Sequence, residues 1–251
     1  MALLWSKNTD GSRYEVRTAG NSLRLYTDGV FHSQYNPNNP ITGSVWDLLL
    51  IPAFFCPATQ IKRVLVLGVG GGAVIRQILH FLEPDEVVGV ELSAIHLMLA
   101  KKFFGLRDKK ISLVNADAVQ WLADYKGAKF DMIIDDIFAE HDGMPIKAVP
   151  ADVKWFNLLL KHLRDDGLLV SNFISYKEMK TCAYFEDAAV QRRFGSVFRL
   201  TTPVTENSVA VFLRKPAQSV QLRANLSKHP MLRQALKTKK LRYTIRRIDE
   251  I

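Results

Sequence analysis

A glycine-rich turn is the first part of the sequence whose residue types and spacing could do chemistry. Gly68, Gly70, Gly71 and Gly72 lie between an apolar strand pattern and the apolar helix pattern that follows it. Glycines let the backbone turn tightly and approach a ligand without a β-carbon in the way, at a helix N-terminus whose amide groups point outward. The turn therefore predicts nucleoside binding at these four glycines, with a dinucleotide site or a purely structural turn as the alternatives.

Two acidic residues follow at spacings that suit a bound nucleoside. Glu91 comes directly after the apolar segment 87–90, where a carboxylate can accept hydrogen bonds from both hydroxyls of a ribose. Asp117 and Ala118 end the next strand pattern and start a helix. The Asp117 carboxylate suits the exocyclic amine of adenine, and capping of the helix N-terminus is its alternative role. We therefore predict that Glu91, Asp117 and Ala118 belong to one adenosine site.

A pair of adjacent carboxylates, Asp135 and Asp136, ends the fourth strand pattern. Successive residues of a strand point to opposite faces, so one of the two is expected to face the site. We assign that position to Asp136, which would orient or deprotonate an attacking amine, because an ammonium has no lone pair for attack on a sulfonium carbon. Asp135 is then predicted to bind the amine of the donor's methionine portion.

These residues need a fold that brings strand ends together. From Arg63 onward, short apolar segments alternate with helix patterns, which is typical of a parallel sheet covered by helices on both faces. The expected fold class is α/β, with a doubly wound, mostly parallel seven-stranded sheet of Rossmann-like type whose carboxyl edge carries the site. The predicted strands are 64–67, 87–90, 111–114, 132–134, 168–170, 198–200 and 208–213, and the predicted helices are 73–81, 94–104, 118–125 and 153–163.

The chain divides into three regions by pattern. Alternating apolar residues separated by turns that contain Gly20 and Gly29 predict a β-meander near the start, and a helical pattern at 46–55 follows it. We place this N-terminal β-meander and its connecting helix at 1–57, the nucleoside-binding catalytic domain at 58–215 and a basic C-terminal extension at 216–251.

As an ordered set, the motifs resemble the spermidine synthase family, within the class I S-adenosylmethionine-dependent methyltransferase fold. The resemblance runs from about Arg13 to Arg214 and is carried by Leu25-Tyr-Thr-Asp-Gly-Val30, Gly68 to Gly72 with Val74-Ile-Arg76, Val90-Glu91, Ala116-Asp-Ala118 and Asp131-Met-Ile-Ile-Asp-Asp136. It implies that Glu91 holds the ribose of a donor, that Asp117 contacts its adenine and that Asp136 helps to activate an amine. It also implies S-adenosylmethionine, or its decarboxylated form, as the donor.

Three departures from the family pattern bear on the transferred group. Gly71 stands where aminopropyltransferases carry an aspartate, Ser44 where they carry a substrate-contacting tyrosine, and 136–140 replaces a segment with a second acid and a proline. An aspartate at position 71 would attract the ammonium of the decarboxylated donor and repel the carboxylate of the intact one, by roughly 4 kcal/mol for like charges about 4 Å apart. Its absence makes methyl transfer to an amine or other nucleophile the leading hypothesis. Aminopropyl transfer to a polyamine precursor is the alternative, and a non-catalytic RNA-binding or interaction module is the third.

The positive charge of the chain is concentrated at one end. The net charge is +9, and the extension 216–251 contains nine Lys or Arg against two acids, so it carries +7 of that total. A solvated basic helix is the plain interpretation, and binding of RNA or another acidic partner is the functional one. The other partners expected are a small-molecule or macromolecular nucleophile as acceptor and a second copy of the chain in a homodimer, without a membrane.

The cysteines and histidines point to no metal site. Cys56 and Cys182 are far apart and show no ligand spacing, and the six histidines show none either. No apolar run has the length of a membrane span or of a signal-peptide core. We therefore expect a cytoplasmic globular protein with buried, inert thiols and without bound metal.

Overall fold

The computed structural model describes residues 1–141 and 144–248. The chain begins with an antiparallel sheet whose strands follow one another in space as in sequence: β1 (Ala2–Thr9), β2 (Ser12–Ala19), β3 (Ser22–Thr27) and β4 (Val30–Tyr35). The predicted meander is therefore present, and β1 is a strand that the sequence patterns missed. Gly29 has a positive φ of 83°, as the tight turn between β3 and β4 requires.

The segment that connects the two sheets is helical but not one helix. Helix α1 (Val45–Leu50) passes into a 3-10 turn (Ile51–Phe55), followed by a second short 3-10 turn (Ala58–Gln60). The predicted helix at 46–55 is thus shorter than expected. Pro52 lies at the start of the first 3-10 turn, because it lacks the N–H that a continuing α-helix needs.

The rest of the chain alternates strands and helices, as predicted. In order these are β5 (Arg63–Leu67), α2 (Ala73–Phe81), β6 (Glu86–Glu91), α3 (Ala94–Lys102), β7 (Ile111–Asn115), α4 (Ala118–Asp124), β8 (Phe130–Asp135), β9 (Phe138–His141), β10 (Met144–Lys147), α5 (Val153–His162), β11 (Leu163–Phe173), α6 (Tyr176–Met179), α7 (Ala183–Glu186), α8 (Ala188–Gln191), β12 (Ser196–Thr201), β13 (Ser208–Leu213), α9 (Ser219–Lys228), α10 (Pro230–Lys237) and β14 (Thr244–Ile248).

The main sheet has the order β14-β12-β13-β11-β8-β5-β6-β7, and its five strands from β11 to β7 run parallel. Side chains of successive residues in β5 enter two separate apolar clusters, one on each face of the sheet. A strand buried on both faces explains why these strands read as unbroken apolar runs. The carboxyl ends of β5, β6, β7 and β8 therefore meet at one edge.

The C-terminal extension is folded onto this domain. Leu222 and Leu226 of α9 and Leu232 of α10 are buried in the same apolar cluster as α1 and the 3-10 turn. Strand β14 pairs antiparallel with β12 and becomes the eighth strand of the sheet. The predicted count of seven strands is corrected to eight, because an edge strand with many charges gives no apolar strand signal.

Two further observations concern the described part of the chain. It contains no helix long and apolar enough to cross a bilayer. It also contains no group of three or more His, Cys, Asp or Glu side chains arranged to hold a metal ion.

Candidate active site

A cavity of about 940 Å³ lies at the carboxyl edge of the main sheet, between that sheet and the N-terminal meander. The strand ends deliver their residues to it in order: Gly68 and Gly70 after β5, Glu91 from β6, Asp117 and Ala118 after β7, and Asp136 after β8. The structure thus brings six of the nine sequence-predicted site residues to one cavity.

Glu91, the last residue of β6, accepts hydrogen bonds from the glycine turn that follows β5. Its Oε2 accepts hydrogen bonds from the backbone N–H groups of Val69 at 3.0 Å and Gly70 at 2.8 Å, and its Oε1 accepts one from Ser93 N at 2.9 Å. Burial alone would raise the pKa of Glu91, but hydrogen bonds from His96 and these amides and the charge of His96 hold it down at about 2. Glu91 is therefore an anion that shapes the turn and still faces the cavity.

Two histidines stand beside this carboxylate. The Nδ1 atom of His96 lies 3.6 Å from Glu91 Oε1, and its Nε2 lies 2.8 Å from the hydroxyl of Thr27 on β3. The ring of His32 packs 4.9 Å from that of His96, measured between centroids. Burial, with the adjacent His96, lowers the pKa of His32 to about 4, so His32 is neutral and lines the cavity as an uncharged polar group.

Asp117 performs the capping role and keeps its place in the cavity. Its Oδ1 accepts a hydrogen bond from Gln120 N at 2.8 Å at the start of α4. The side chain is exposed, and Asp117 and the buried Ala118 both line the cavity. Because capping uses one carboxylate oxygen, the two roles considered for Asp117 are compatible.

Asp136 is the last member of a chain of hydrogen-bonded polar side chains. Asn172 Nδ2, at the end of β11, donates to Asp136 Oδ1 at 2.8 Å, and Asn207 Nδ2 donates to Asn172 Oδ1 at 3.1 Å. Burial raises the pKa of Asp136 to about 7, although the hydrogen bond from Asn172 and the charge of Lys147 oppose this. A carboxyl group with a pKa near neutrality, facing a cavity, is suited to accept a proton from a substrate.

Asp135 does not take the predicted role. Its side chain is fully buried on the other side of β8, and Asp135 is not among the described residues that line the cavity. Its Oδ2 lies 3.0 Å from Lys147 Nζ and accepts hydrogen bonds from Trp155 Nε1 at 3.3 Å and Ser171 Oγ at 3.2 Å. The alternation of the strand separates the two acids as expected, but it turns Asp135 away from any donor.

Gly71 and Gly72 also lie outside the cavity. A β-carbon at Gly71 would come 2.7 Å from the Ser33 side chain, and one at Gly72 would overlap Leu106. These two glycines permit close packing of the turn against its neighbours. Gly68 has the more direct role: at φ +84° its backbone lies against the carbonyl of Asp136, where any β-carbon would collide. Of the four predicted glycines, Gly68 and Gly70 line the cavity and Gly71 and Gly72 do not, and contact of Gly68 and Gly70 with a donor stays a prediction.

The charge of the cavity is one-sided. Seven carboxylic acids contribute to its described lining, and no lysine or arginine does; the acids are Asp10, Asp28, Glu91, Asp117, Asp136, Glu140 and Glu206. Such a wall attracts cations and disfavours a ligand that carries its own carboxylate. The lining also includes apolar groups that suit an alkyl amine: Ile137 and Phe138 directly follow Asp136 in the chain, and Trp46 belongs to α1.

Some functional side chains gave no signal in the sequence analysis. Asn172 could have been found, because Ser171-Asn172 is a polar pair at the end of a buried strand that runs parallel to β8. Asn207, Lys147 and Thr27 could not, because they reach the site from loops and from another sheet. Trp46 starts the helical pattern at 46–55, and this pattern gave no sign that its side chain lines the cavity.

The fold and the position of the cavity define a Rossmann-like α/β architecture, in which ligand sites lie at the carboxyl ends of the strands, and comparison with known proteins gives the family. The family model described as the spermine/spermidine synthase domain matches residues 48–218, which is more than half of the chain. The chain therefore belongs to the spermine/spermidine synthase family.

Individual relatives agree with this assignment. The chain is 30% identical over 179 residues to polyamine aminopropyltransferase 2 of Caldanaerobacter subterraneus subsp. tengcongensis, covering 68% of this chain and 57% of that protein. It thus spans little more than half the length of that relative. Among solved structures, a probable spermidine synthase from Corynebacterium glutamicum has a TM-score of 0.70 at 17% identity, covering 92% of this chain and 88% of the other. Spermidine synthase from Thermotoga maritima has a TM-score of 0.62 at 16% identity, covering 85% and 72%. At these identities, the structural matches show the shared fold.

Proposed function

We propose that this protein transfers an aminopropyl group from decarboxylated S-adenosylmethionine to an amine. The observation that carries the proposal is the cavity wall of seven acids without a described lysine or arginine. The decarboxylated donor carries a sulfonium and an ammonium, and an alkyl diamine carries two ammonium groups, so both substrates are cations. The names of the curated relatives, polyamine aminopropyltransferases, support the same chemistry.

The residues of the site have separate tasks in this reaction. Glu91 and the Gly68–Gly70 backbone hold the ribose end, and Asp117 with Ala118 holds the base. Asp136 accepts a proton from the acceptor ammonium, which frees the nitrogen lone pair for attack on the carbon beside the sulfonium. A C–N bond forms, a C–S bond breaks, and methylthioadenosine leaves as a neutral thioether. No separate acid is needed, because the leaving sulfur ends uncharged.

Gly71 is the observation that favours methyl transfer instead. The family's aspartate at this position is absent, so one attraction for the donor ammonium is missing. In this structure, however, the space beside Gly71 is filled by Ser33, whose hydroxyl accepts a hydrogen bond from Ala73 N at 3.2 Å. The absence of one acid at position 71 therefore has to be compared with the presence of seven acids in the cavity lining. The negative charge of these acids would repel the carboxylate of intact S-adenosylmethionine.

Calorimetric titration with the two donors tests this proposal. We expect the decarboxylated form to bind at least about tenfold more tightly than the intact form, since removing one like-charge interaction is worth more than 1.4 kcal/mol in a partly desolvated site. Methylthioadenosine, which carries neither charged group, is the matched control for the adenosine contacts. Tighter binding of intact S-adenosylmethionine would overturn aminopropyl transfer in favour of methyl transfer.

A second proposal concerns the C-terminal extension, which we infer binds RNA. Its nine Lys and Arg side chains are all exposed, and the described part of the extension, 216–248, contains no acid. Deleting the extension is a poor test, because Leu222, Leu226 and Leu232 belong to the core.

Neutralising three exposed cations gives a sharper test of RNA binding. For the Lys239→Gln/Lys240→Gln/Arg242→Gln variant we expect the slope of log affinity against log salt to become shallower by about two for a short single-stranded RNA. The control neutralises three exposed cations elsewhere, Arg107, Lys109 and Lys110. Equal slopes for the variant and the wild type would remove the proposal.

A further inference from the structure

A buried lysine beneath the site has no role in the chemistry described so far. Lys147, the last residue of β10, places its Nζ 3.0 Å from Asp135 Oδ2, with only 5% and 1% of the two side chains exposed. The same Nζ donates to the backbone carbonyl of Asn172 at 3.2 Å and lies over the rings of Phe138 and Phe173. One ammonium thus contacts β8, β9 and β11 together.

The hairpin formed by β9 and β10 contacts the main sheet through this lysine. Phe138, Ala139 and Pro145 of the hairpin line the cavity, but Met144 and Ile146 are 65% and 41% exposed, so the hairpin has few apolar contacts of its own. The Lys147 side chain is its deeply buried polar group, and it reaches a fixed anion in the main sheet. Long side chains lose much rotamer freedom on burial, so an ordered lysine here requires strong partners.

The positive charge of Lys147 also acts on both of the adjacent acids, Asp135 and Asp136. The described groups that act on Asp136 are Asn172, through a hydrogen bond, and Lys147, Asp135 and Glu91, through their charges, and Lys147 is the cation among them. Without the lysine, Asp135 would add an uncompensated negative charge next to a carboxyl group that must ionise. With it, the pair is neutral and the backbone of Asn172, which orients Asp136, is held in place.

We propose that Lys147 is a positioning residue. It fixes the β9–β10 hairpin as a wall of the cavity near Asp136, where the acceptor amine would bind, and it lets Asp136 ionise beside Asp135. The inference rests on the proposed function because it assumes that an acceptor amine binds beside this hairpin. Its two structural consequences, the order of the hairpin and the ionisation of Asp136, are properties of the protein without substrate. Replacing both members of a buried ion pair with apolar residues is often neutral or stabilising, so stability alone is a poor explanation of the Asp135–Lys147 pair.

The test uses three variants: Lys147→Met, which keeps the stem and removes the charge, Lys147→Arg, and the double variant Asp135→Asn/Lys147→Met. For Lys147→Met we expect amide hydrogen exchange in Phe138–His141 and Met144–Lys147 to quicken by about tenfold or more, as the hairpin loses its anchor. We also expect the midpoint of Asp136 ionisation, followed by carbon NMR of its carboxyl group, to rise by about one pH unit.

The double variant and the arginine variant separate the two parts of the proposal. The double variant removes both charges, so its hairpin should still exchange quickly while the Asp136 midpoint stays within about half a pH unit of the wild type. The double variant leaves no unpaired buried charge, so the hairpin exchange can still be measured if Lys147→Met alone fails to fold. Lys147→Arg, which keeps the charge, should retain the wild-type midpoint.

Two outcomes overturn the proposal. One is hairpin exchange unchanged in both methionine variants, and the other is an Asp136 midpoint that Lys147→Met leaves where it was. Both readouts are made on the protein without substrate. A failure of aminopropyl transfer in the wild type would therefore reject the proposed function and leave this inference to be judged separately.

Discussion

Replacing Asp136 with Asn is expected to lower kcat/KM by roughly 10²–10⁴-fold, the range that a positioned general base contributes. The amide can still accept the hydrogen bond from Asn172 Nδ2, so the local geometry should survive while the proton acceptor is lost. Donor affinity, measured by calorimetry, should change by less than about threefold, because the proposed adenosine contacts are at Glu91 and Asp117. Stopped-time assays of methylthioadenosine formation measure the effect.

The same variant has a predicted signature in stability. The pKa of Asp136 is raised to about 7 by burial, so the folded protein holds this proton more tightly than the unfolded chain does. The free energy of unfolding of the wild type therefore falls as the pH rises from about 4 through 7. Above pH 7, Asp136→Asn should be more stable than the wild type. We expect on the order of 2 kcal/mol at pH 8, allowing for solvent in the cavity, and a smaller gain at pH 5.

A control keeps this test specific. Asp85 is exposed near the opposite edge of the sheet, and Asp85→Asn should change neither rate nor pH-dependent stability. Urea unfolding of the three proteins at pH 5 and pH 8 provides the comparison. A variant at position 136 that keeps its activity would reject Asp136 as the base.

The second large effect is expected at Glu91. Glu91→Gln should weaken binding of decarboxylated S-adenosylmethionine by about 100-fold, because a carboxamide offers one acceptor oxygen where the carboxylate uses two on backbone amides. Its NH₂ group would face the N–H of the turn or that of Ser93. The turn would then lose the shape that places Gly68 and Gly70 along the donor.

Glu91 should also govern stability in acid. Its pKa is held at about 2 in the folded protein, below the ordinary value of 4.5. This contribution is fully present above pH 5 and is lost as the pH falls from about 4.5 toward 2, with a size of roughly 3 kcal/mol. Glu91→Gln should lack this acid-sensitive component in urea unfolding, whereas the exposed control Glu83→Gln should retain it. Wild-type donor affinity in Glu91→Gln would show that the carboxylate is not part of the donor site.

The fold could be predicted because its local and global signals agree. Apolar runs at β5, β6 and β8 are long enough to be buried on both faces, and the glycine turn after β5 has no plausible place other than the carboxyl edge. The edge strand β14 escaped notice because Arg246 and Arg247 interrupt its apolar pattern. Strand β1 escaped because it has one exposed face and an open edge.

The site could be predicted only in part, for a physical reason. Strand alternation predicts that Asp135 and Asp136 face opposite ways, but it does not predict which groups each side chain contacts. The partner that decides the matter for Asp135 is Lys147, a residue of a hairpin whose path depends on tertiary packing. In the same way, Gly71 suggested a preference for the intact donor as long as it was considered alone. The proposal of the decarboxylated donor rests on acids of the cavity that come from the meander, from β9 and from the loop before β13.

The most direct test of aminopropyl transfer is the identity of the nucleoside product. The purified protein is incubated with equal concentrations of both donors and a short alkyl diamine, and the nucleosides are identified by mass spectrometry. Aminopropyl transfer predicts methylthioadenosine together with a diamine extended by one aminopropyl group, and the rate of formation of both should fall by roughly 10²–10⁴-fold in Asp136→Asn. Accumulation of S-adenosylhomocysteine with a methylated amine, in place of methylthioadenosine, would contradict it.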